Sequence, residues 1–441
     1  MLFYMLYTLN RLRTCILHAG FCLAILGLSL RLEARFMTLE EALHTVEQEN
    51  LTVLLNKESV EQALQGQYMK RAGLFPQVKA EVSQARQKDS FRGVDSSTYN
   101  SMQAAITGSI NVFDYSIYQA YKAAKQGHKV SRQAYKALLE SVLYETTKAY
   151  YAYARDLQRL EVLNKNLERD AALLDLAEGQ LLAGTASPLD RMRAYTIVLQ
   201  DKQALLQQSI TLKKRDLQLK QFLNLDPLEE LIIDKAILEA DMPACLLASL
   251  DDIYLLRPDY IQGLKKIKQL KAEVQQAKGG HFPTAAVFAS SGISGTKLFN
   301  KGERSTWMVG AKVSLPLFEG FRVSSDLLRA QAALRQQRYA LAELKNKISS
   351  AYTLAKASLE ALQEQVTLSK DQVHLALEEL EMAKDRFKQG VADNQALLSA
   401  QASLASVEDQ ALSLLYDYAL AWLDLAFEQG RVRLILNSHP L

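Results

Sequence analysis

The chain repeats itself at an interval of 206 residues. Leu160 recurs as Val366 and Gly184 recurs as Gly390, each 206 positions further along. Further pairs at nearly the same interval are Leu167 with Val373, Leu174 with Leu380, Leu181 with Phe387, Phe75-Pro76 with Phe282-Pro283, and Phe113-Asp114 with Phe318-Glu319. Units are duplicated in this way when one copy cannot bury its own apolar face. The repeat therefore predicts two similar halves that cover each other.

Each copy contains a very long helix. Only 8 prolines occur in the 441 residues, and none lies within 115–183 or 321–389. Apolar residues recur there every seven positions, a spacing typical of coiled coils. The stripes are Leu139, Thr146, Tyr153, Leu160, Leu167, Leu174 and Leu181, and then Leu327, Leu334, Leu341, Ile348, Ala355 and Leu362. At ~1.5 Å per residue, a helix over 115–183 is about 100 Å long, several times the width of a compact domain.

A shorter helix precedes the strands in each copy. Thr38 and Glu41 have the spacing of a capping box, which predicts a helix start, and we expect this helix to reach about Gly73. In the second copy Arg257-Pro258-Asp259 opens the corresponding helix, because proline suits the first turn and aspartate favours the positive helix end. We interpret this motif as structural and not as a ligand site.

Between the two helices of each copy, apolar side chains alternate with small or polar ones. The apolar sets are Met102, Ala104, Ile106, Gly108, Ile110 and Val112, and then Trp307, Val309, Ala311, Val313 and Leu315. Such alternation indicates strands with one apolar face. We predict β-hairpins over 77–113 and 284–318. The side chains expected to face lipid are Ile106, Ile110, Val112, Trp307, Val309 and Val313.

Four strands are too few to close a membrane barrel, since known single-chain barrels begin at about eight. Lipid offers no hydrogen bonds to open sheet edges, so identical chains must pool their strands. Four strands from each of three protomers would make 12 strands, wide enough for an open lumen. Phe91, Tyr99 and Trp307 near the strand ends fit an aromatic girdle, with ordinary strand aromatics as the alternative for any one of them.

The N-terminal segment has the pattern of an export signal. Arg11 and Arg13 precede an apolar stretch over 15–30, and polar residues follow. This order is typical of a signal peptide, to which we assign residues 1–34. An uncleaved membrane anchor is the alternative, although the stretch is short for a span of ~20 residues.

Neither catalysis nor nucleic-acid binding is indicated by the sequence. The six histidines have no metal-binding spacing to one another or to Cys245, the one cysteine beyond the N-terminal segment. No phosphate-binding glycine loop or nucleophile elbow occurs. A net charge of +3 is too small to suggest nucleic acid as a partner. We expect no enzymatic activity, no cofactor and no metal.

The order of these features resembles the TolC-like outer-membrane efflux proteins of Gram-negative bacteria. The resemblance covers the chain from Thr38 to Gly430 and is carried by short motifs that are specific only as a set. They are Leu39-Glu40-Glu41-Ala42-Leu43, Leu74-Phe75-Pro76, Leu255-Leu256-Arg257-Pro258-Asp259, Phe282-Pro283, Leu315-Pro316-Leu317-Phe318-Glu319-Gly320, Phe387-Lys388-Gln389-Gly390, and Leu425-Ala426 with Gly430.

The resemblance implies an α+β membrane protein that acts as an exit duct. It would be a homotrimer with a trimeric 12-stranded β-barrel, four strands per protomer, in the Gram-negative outer membrane. A long α-helical coiled-coil barrel would continue this barrel into the periplasm. Its partners would be outer-membrane lipid, a periplasmic adaptor (membrane fusion) protein and an inner-membrane transporter of the RND, ABC or MFS type. An exported trimeric coiled-coil scaffold or adhesin, anchored by its N-terminus, is the alternative, but it does not explain the two hairpins. The resemblance also implies a division of the chain. The first repeat covers 35–220, with long helices over 115–183 and 187–220, and an equatorial insert follows over 221–252. The second repeat covers 253–430, with long helices over 321–389 and 392–429, and a tail follows over 431–441.

In this family the turns at Gly184 and Gly390 form the periplasmic tip, where the adaptor docks and the tube constricts. Each glycine ends one long helix and precedes another, so it suits the positive φ of a helix C-cap. Acidic side chains just past these turns restrain the closed entrance in the family. Asp190 matches one of these acidic positions, but Ala396 and Ser399 stand where the family has a pair of aspartates after the second turn, and Asp393 is the only acid near it. The residues expected to form the gate here are Asp190, Arg191, Arg193 and Asp393, with the two arginines able to pair with Asp393. Ordinary solvated tip charges are an equal alternative.

Overall fold

The computed structural model describes residues 35–89, 97–184, 187–238, 249–296, 304–389 and 394–433. The predicted signal peptide, the chain beyond residue 433, and Phe91, Gly390 and Asp393 lie outside the described residues. The helices are α1 (Leu39–Glu49), α2 (Leu51–Ala72), α3 (Tyr115–Leu182), α4 (Pro188–Leu223), α5 (Leu250–Leu256), α6 (Pro258–Gly279), α7 (Arg322–Lys388) and α8 (Asn394–Glu428). The strands are β1 (Arg35–Met37), β2 (Gln77–Asp89), β3 (Ser97–Phe113), β4 (Leu231–Ile233), β5 (Thr284–Gly295) and β6 (Arg304–Ser314).

The four long strands form one antiparallel sheet in the order β2-β3-β5-β6. The two hairpins are therefore joined through β3 and β5, and β2 and β6 lie at the edges. Neither edge strand pairs with a further strand among the residues that the structure describes. The second hairpin is shorter than the predicted range, because β6 ends at Ser314, before Pro316, which has no amide hydrogen to donate.

Two helices dominate the length of the molecule. α3 has 68 residues and α7 has 67 residues, so each is about 100 Å long. Asp114 begins α3 as its N-cap, with its side chain accepting a hydrogen bond of 2.9 Å from the amide of Ile117. No proline interrupts either helix, which keeps the backbone hydrogen bonds continuous over this distance.

The helices form a layer whose members change along its length. Next to the sheet, α3 packs between α2 and α6, and α6 packs against α7. Farther from the sheet, α3 packs between α4 and α8, and α8 packs against α7. Each cross-section therefore contains four helices. α4 and α7 are the outer members at the far end.

The predicted first helix is interrupted at Asn50. The capping box between Thr38 and Glu41 is confirmed, with hydrogen bonds of 3.1 and 3.3 Å. The helix expected to continue to Gly73 is instead divided into α1 and α2. Asn50 has an extended backbone there, and its side-chain oxygen accepts hydrogen bonds from the first amides of α2, at 2.9 Å from Thr52. Asparagine favours this arrangement because its short side chain competes with the helix for backbone groups.

A waist of buried aromatic residues holds the two halves of the chain together. Tyr150 and Tyr151 of α3 and Trp422 of α8 are almost completely buried, and they lie in one core cluster with α1 and the end of α4. The short strands β1 and β4 pair in parallel beside this cluster. The Tyr150 hydroxyl donates to the Met37 carbonyl at 3.0 Å, which ties β1 to α3.

None of the helices in the described ranges is long and apolar enough to cross a membrane.

Candidate channel site: the sheet and the helical tip

One face of the sheet is apolar over all four strands. Ile106 lies opposite Ser291, which lies opposite Trp307, and Ile110 is linked in the same way through Val287 to Ala311. Residues paired across strands point to the same side of a sheet. The register therefore places on one face Val78, Val82, Ala104, Ile106, Ile110, Ile293, Trp307, Val309 and Val313.

This apolar face is open in the protomer. Trp307 is 79% exposed and Val313 is 73% exposed, and Ile106 and Val309 are also exposed, whereas Ile110 is half-buried. A contiguous exposed apolar surface of this kind marks a contact with lipid or with another chain. Five of the six side chains predicted to face lipid share this surface.

Val112 is the exception in the register. Pairing between β3 and β5 shifts by one residue there, so that Asn111 pairs with Ala286 and Phe113 pairs with Ala285. A bulge of this kind leaves one residue without a partner on the neighbouring strand. Val112 is exposed, but strand pairing alone does not assign it to the apolar face.

The opposite face of the sheet is polar and concave. It encloses a cavity of 430 Å³ whose polar lining residues are Gln77, Lys79, Glu81, Gln103, Thr107, Ser109, Ser290 and Thr306. The ring of Phe288 on this face lies against Gly310 on β6. A Cβ atom at Gly310 would come within 2.6 Å of that ring, so only glycine fits beneath Phe288. The sheet thus has one apolar face and one hydrophilic face.

A belt of phenylalanines surrounds the end of the sheet nearest the helices. Phe75, Phe113, Phe282 and Phe318 each lie next to the end of one strand and are between 43% and 75% exposed. We call these four residues the Phe belt. Sequence reasoning placed aromatic girdle residues toward the other end and missed this set. The repeat of Phe75 as Phe282 and of Phe113 as Phe318 was the signal that could have identified it.

The turn between α3 and α4 contains a left-handed glycine. Gly184 has a φ of +73° and its amide donates to the carbonyl of Leu181 at 3.1 Å. The predicted positive φ at this helix end is therefore confirmed, whereas Gly390 lies outside the described residues. Among the described residues, no atom lies within 4 Å of the place where a Cβ at Gly184 would sit.

The charged residues beyond Gly184 make local contacts. Asp190 and Ser187 form a capping box at the start of α4, with the Ser187 amide donating to Asp190 Oδ2 at 3.0 Å and the Asp190 amide donating to Ser187 Oγ at 3.3 Å. Arg191 Nε donates to Glu178 Oε1 of α3 at 2.8 Å. Arg193 is exposed and forms no ion pair with any residue in the described ranges. The structure thus brings Asp190 and Arg191 to the turn, and the pairing of Arg191 and Arg193 with Asp393 remains a prediction.

A buried polar cluster lies between three helices in the half of the tube near this turn. Asp170 of α3 is 5% exposed and faces Asp201 of α4 and Gln401 of α8. Burial raises the pKa of Asp170 to about 7, and the hydrogen bond with the Asp201 carboxyl acts in the same direction. Asp170 can therefore hold a proton near neutral pH. Sequence reasoning missed this cluster, because an aspartate within a charged helix gives no sign of burial.

A second polar cluster joins the start of α6 to the end of α8. Arg257 is buried, and its guanidinium contacts Asp259 at 2.7 Å, Glu428 at 2.5 Å and the backbone carbonyl of Glu428 at 3.1 Å. Burial lowers the pKa of Arg257, but the hydrogen bonds with the two carboxylates outweigh this effect and the pKa is raised overall. Pro258 occupies the first turn of α6. The motif is a structural joint, as its sequence predicted.

The sequence of this chain matches the model of the outer membrane efflux protein family over residues 42–225 and 251–431. The chain belongs to this family. Among curated proteins it is similar to the probable efflux pump outer membrane protein TtgC of Pseudomonas putida, with 24% identity over 361 residues that cover 78% of this chain and 73% of TtgC. The two matched ranges cover most of both repeats, including the four strands of the sheet and the turn after α3.

Solved channels share the fold. The Campylobacter jejuni CmeC outer membrane channel aligns with a TM-score of 0.79 at 18% identity, covering 89% of this chain and 86% of that one. The open state of the Neisseria gonorrhoeae MtrE outer membrane channel aligns with a TM-score of 0.78 at 20% identity, covering 89% of each chain. The four-stranded sheet and the long helices are therefore a fold shared with these solved channels.

Proposed function

We propose that this protein is the outer-membrane exit duct of a tripartite efflux or type I secretion system in a Gram-negative bacterium. It acts as a homotrimer in which three sheets close a 12-stranded barrel and the helices continue it as a tube into the periplasm. Its relatives are outer-membrane components of efflux pumps. The observation that carries the proposal is that both lateral sides of the protomer are uncovered. The two edge strands lack partners among the described residues, and the two outer helices expose apolar side chains.

The open sides of the sheet support assembly. β2 and β6 each have one side without a strand partner among the described residues, and in lipid such edges leave backbone groups unpaired at a high energetic cost. Joining β6 of one protomer to β2 of the next removes every edge. The apolar face then meets lipid and the concave polar face lines the pore, as in known membrane barrels.

The open sides of the helical layer support the same assembly. Exposed apolar residues follow a coiled-coil spacing along α4, at Met192, Leu199, Leu206, Ile210 and Leu217. A second series follows α7, at Leu354, Leu368, Leu375 and Met382. Each series has the seven-residue period of a helix that packs against another helix. Because α4 and α7 are the outer members of the layer, a neighbouring copy can cover both.

Adjacent residues on β6 allow a direct test of the barrel. Val309 and Met308 lie on opposite faces, and both are more than half exposed. We expect Val309→Arg to block insertion, since a lipid-facing arginine costs ~2–4 kcal/mol at the bilayer midplane. Met308→Arg places the same charge in the pore and should insert normally. Heat-modifiable migration and conductance in planar bilayers measure the outcome.

Two results would overturn the barrel proposal. Normal conductance of Val309→Arg would mean that the apolar face does not meet lipid. Absence of conductance from the wild-type protein, together with trimeric assembly, would favour the alternative of an exported scaffold or adhesin.

The tip around Gly184 and Gly390 is the proposed docking end for the periplasmic adaptor, which links the duct to an inner-membrane transporter. Asp190 contributes to the proposed gate through its charge, beyond its role as a cap. Asp190→Asn keeps an oxygen that can accept hydrogen bonds but removes the charge, whereas Ser187→Ala disrupts the cap and leaves the charge. We expect larger resting conductance from Asp190→Asn alone. If Ser187→Ala has the same effect, capping explains the contribution of Asp190.

The proposed division of the chain also follows from this assembly. The segment 221–252 interrupts the repeat and acts as an equatorial insert around the waist. The pairing of β4 with β1 beside the buried aromatic cluster supports this role. Residues 1–34 direct export as a signal peptide, and residues 431–441 form the tail.

A further inference from the structure

The part of α3 nearest the sheet exposes a single stripe, and that stripe is cationic. Between residues 115 and 139 the helix contains no aspartate or glutamate. Its exposed side chains are Tyr118 and then Lys122, Lys125, Lys129, Arg132 and Lys136. The spacing alternates between three and four residues, which places them on one side of the helix.

The neighbouring helix α6 has the same character. Its exposed residues are Leu264, Lys268, Lys271 and Lys278, again on one stripe. The two stripes meet at a groove of 470 Å³ between α3 and α6, which is lined by Lys122, Lys268 and Lys271 together with Tyr115 and Leu334. We call this site the basic groove. Three ammonium groups are thus gathered on one surface beside apolar side chains.

The lysines of the basic groove are not neutralised within the described part of the protomer. None of the three forms an ion pair there, although α3 forms several farther along its length, such as Arg169 with Glu408 at 2.5 Å. The far half of the tube has the opposite charge. α8 contains five carboxylates and no lysine or arginine. The small net charge of the chain therefore conceals a strong segregation along the tube.

The basic groove lies just beyond the sheet. Lys122 is seven residues into α3 and Lys271 is eight residues before the end of α6, so both are about 10 to 12 Å from the strand ends. The Phe belt lies between them and the sheet. An apolar surface, a ring of aromatic residues and then lysines follow one another in the order that membrane proteins present at a bilayer surface.

We propose that the basic groove binds the phosphate of an anionic phospholipid in the periplasmic leaflet of the outer membrane. This inference rests on the proposed function, because it requires the sheet to span that membrane. The ammonium groups pair with the phosphate and the lysine stems extend along the groove toward the membrane surface. The apolar residues of the groove contact the glycerol and the upper acyl chain. The contact fixes the depth and rotation of the helical tube at the bilayer.

The test compares lipid retention by variants of the full-length protein. Wild type and the triple variant Lys122→Gln, Lys268→Gln, Lys271→Gln are placed in nanodiscs of phosphatidylethanolamine that contain a minority of phosphatidylglycerol. Native mass spectrometry then counts the lipids that remain on the trimer. We expect wild type to enrich phosphatidylglycerol and the triple variant to lose this enrichment by roughly tenfold, because each cation near an anionic surface strengthens the attraction.

The matched control removes three other lysines. Lys165, Lys202 and Lys214 are exposed, lie toward or beyond the waist, and form no ion pairs within the described ranges. The variant Lys165→Gln, Lys202→Gln, Lys214→Gln has the same total charge as the groove variant and should retain wild-type enrichment. Equal enrichment in the groove variant would overturn the proposal, as would equal loss in the control.

Two further measurements separate the possible failures. Calorimetry with tripolyphosphate in detergent tests a soluble anion. Binding of tripolyphosphate without any phosphatidylglycerol enrichment would identify a soluble occupant and reject the lipid. Conductance of the same samples tests the duct itself. Normal conductance without enrichment rejects the lipid inference alone, whereas loss of conductance in wild type rejects the proposed function.

Discussion

The two repeats make the same contact with different chemistry. Asn50 begins α2, and its side-chain nitrogen donates to the carbonyl of Phe222 near the end of α4 at 2.8 Å. Arg257 begins α6 in the second repeat, and its guanidinium donates to the carbonyl of Glu428 at the end of α8 at 3.1 Å. The donors are 207 positions apart and the acceptors are 206 positions apart. The last carbonyl groups of a helix have no donor within the helix and need one from elsewhere. Both repeats supply this donor at the corresponding place, but with different residue types.

The difference lies in what else each donor does. Asn50 is neutral and also caps the helix that follows it. Arg257 gives no side-chain cap to its helix and instead brings two carboxylates to the joint. Gly430 closes this joint with a φ of +67°, and a Cβ there would lie 3.2 Å from Arg257 Cα. The second joint is therefore electrostatic and tightly packed, whereas the first is a neutral cap.

The cores of the repeats differ in the same way farther along the helices. Asp170 of α3 corresponds to Ala376 of α7 at the interval of 206, and both are buried. The first repeat therefore has an ionisable side chain at the buried position where the second repeat has a methyl group. The first repeat carries a proton-sensitive contact that the second lacks.

The largest effect is expected from Arg257→Ala. It leaves the carboxylates of Glu428 and Asp259 without their shared partner in a partly buried joint, at a cost of about 2–4 kcal/mol. The apparent melting temperature of the protein, followed by circular dichroism, measures this loss. Arg257→Lys keeps the charge but not the forked geometry and should fall in between. A melting temperature equal to wild type for Arg257→Ala would show that the charges at this joint do not matter.

The next effect depends on pH and concerns Asp170. Its folded pKa is about 7, so the folded protein holds a proton that the unfolded chain loses above about pH 4. The contribution of this group to stability is therefore full below pH 4 and is lost as pH rises through about 7. Asp170→Asn mimics the protonated form and should be more stable than wild type at pH 8, by roughly 2 kcal/mol.

Melting temperatures between pH 5 and pH 8, at intervals of about one unit, test this prediction. Asp175→Asn removes an exposed carboxyl from the same helix and should retain the wild-type profile. If wild type and Asp170→Asn change in parallel with pH, Asp170 does not titrate in this range.

A smaller effect is expected from Asn50→Ala. The change removes the cap of α2 and the bond to the Phe222 carbonyl, at a cost of about 1–2 kcal/mol. Asn50→Asp keeps the capping oxygen and loses only the donor, so it separates the two contributions. A loss as large as that of Arg257→Ala would mean that the shared carbonyl contact, and not charge, dominates both joints.

The smallest effect is expected from Gly184→Ala. An alanine must adopt a left-handed conformation there, which costs about 1 kcal/mol, but it meets no neighbouring atom. Gly430→Ala incurs the same backbone cost and also presses on Arg257. The melting temperatures of both variants measure their losses of stability. Equal losses would show that the second joint can relax around the added methyl group.

Features that depend on local periodicity were predictable from the sequence. Alternation along β3 and β6 predicted strands, and the register places Ile106, Ile110, Trp307, Val309 and Val313 on one face of the sheet. Gly184 was predictable because a glycine at a helix end has a specific conformational use. The break at Asn50 was not predicted, because the apolar pattern continues across it. The asparagine side chain caps a new helix there and is also bonded to the distant Phe222 carbonyl, which the local pattern does not show.

The sequence by itself determined the repeat, the unbroken length of α3 and α7 and the two faces of the sheet, because each follows from the spacing of residues along one segment. Only the tertiary structure decided that Asp170 meets Asp201, that Arg257 joins Glu428 and that the lysines of α3 and α6 converge on one groove. These contacts join residues far apart in the chain, and their positions depend on how the helices rotate against one another. Periodicity tells which side of a helix is apolar, but packing decides what that side meets.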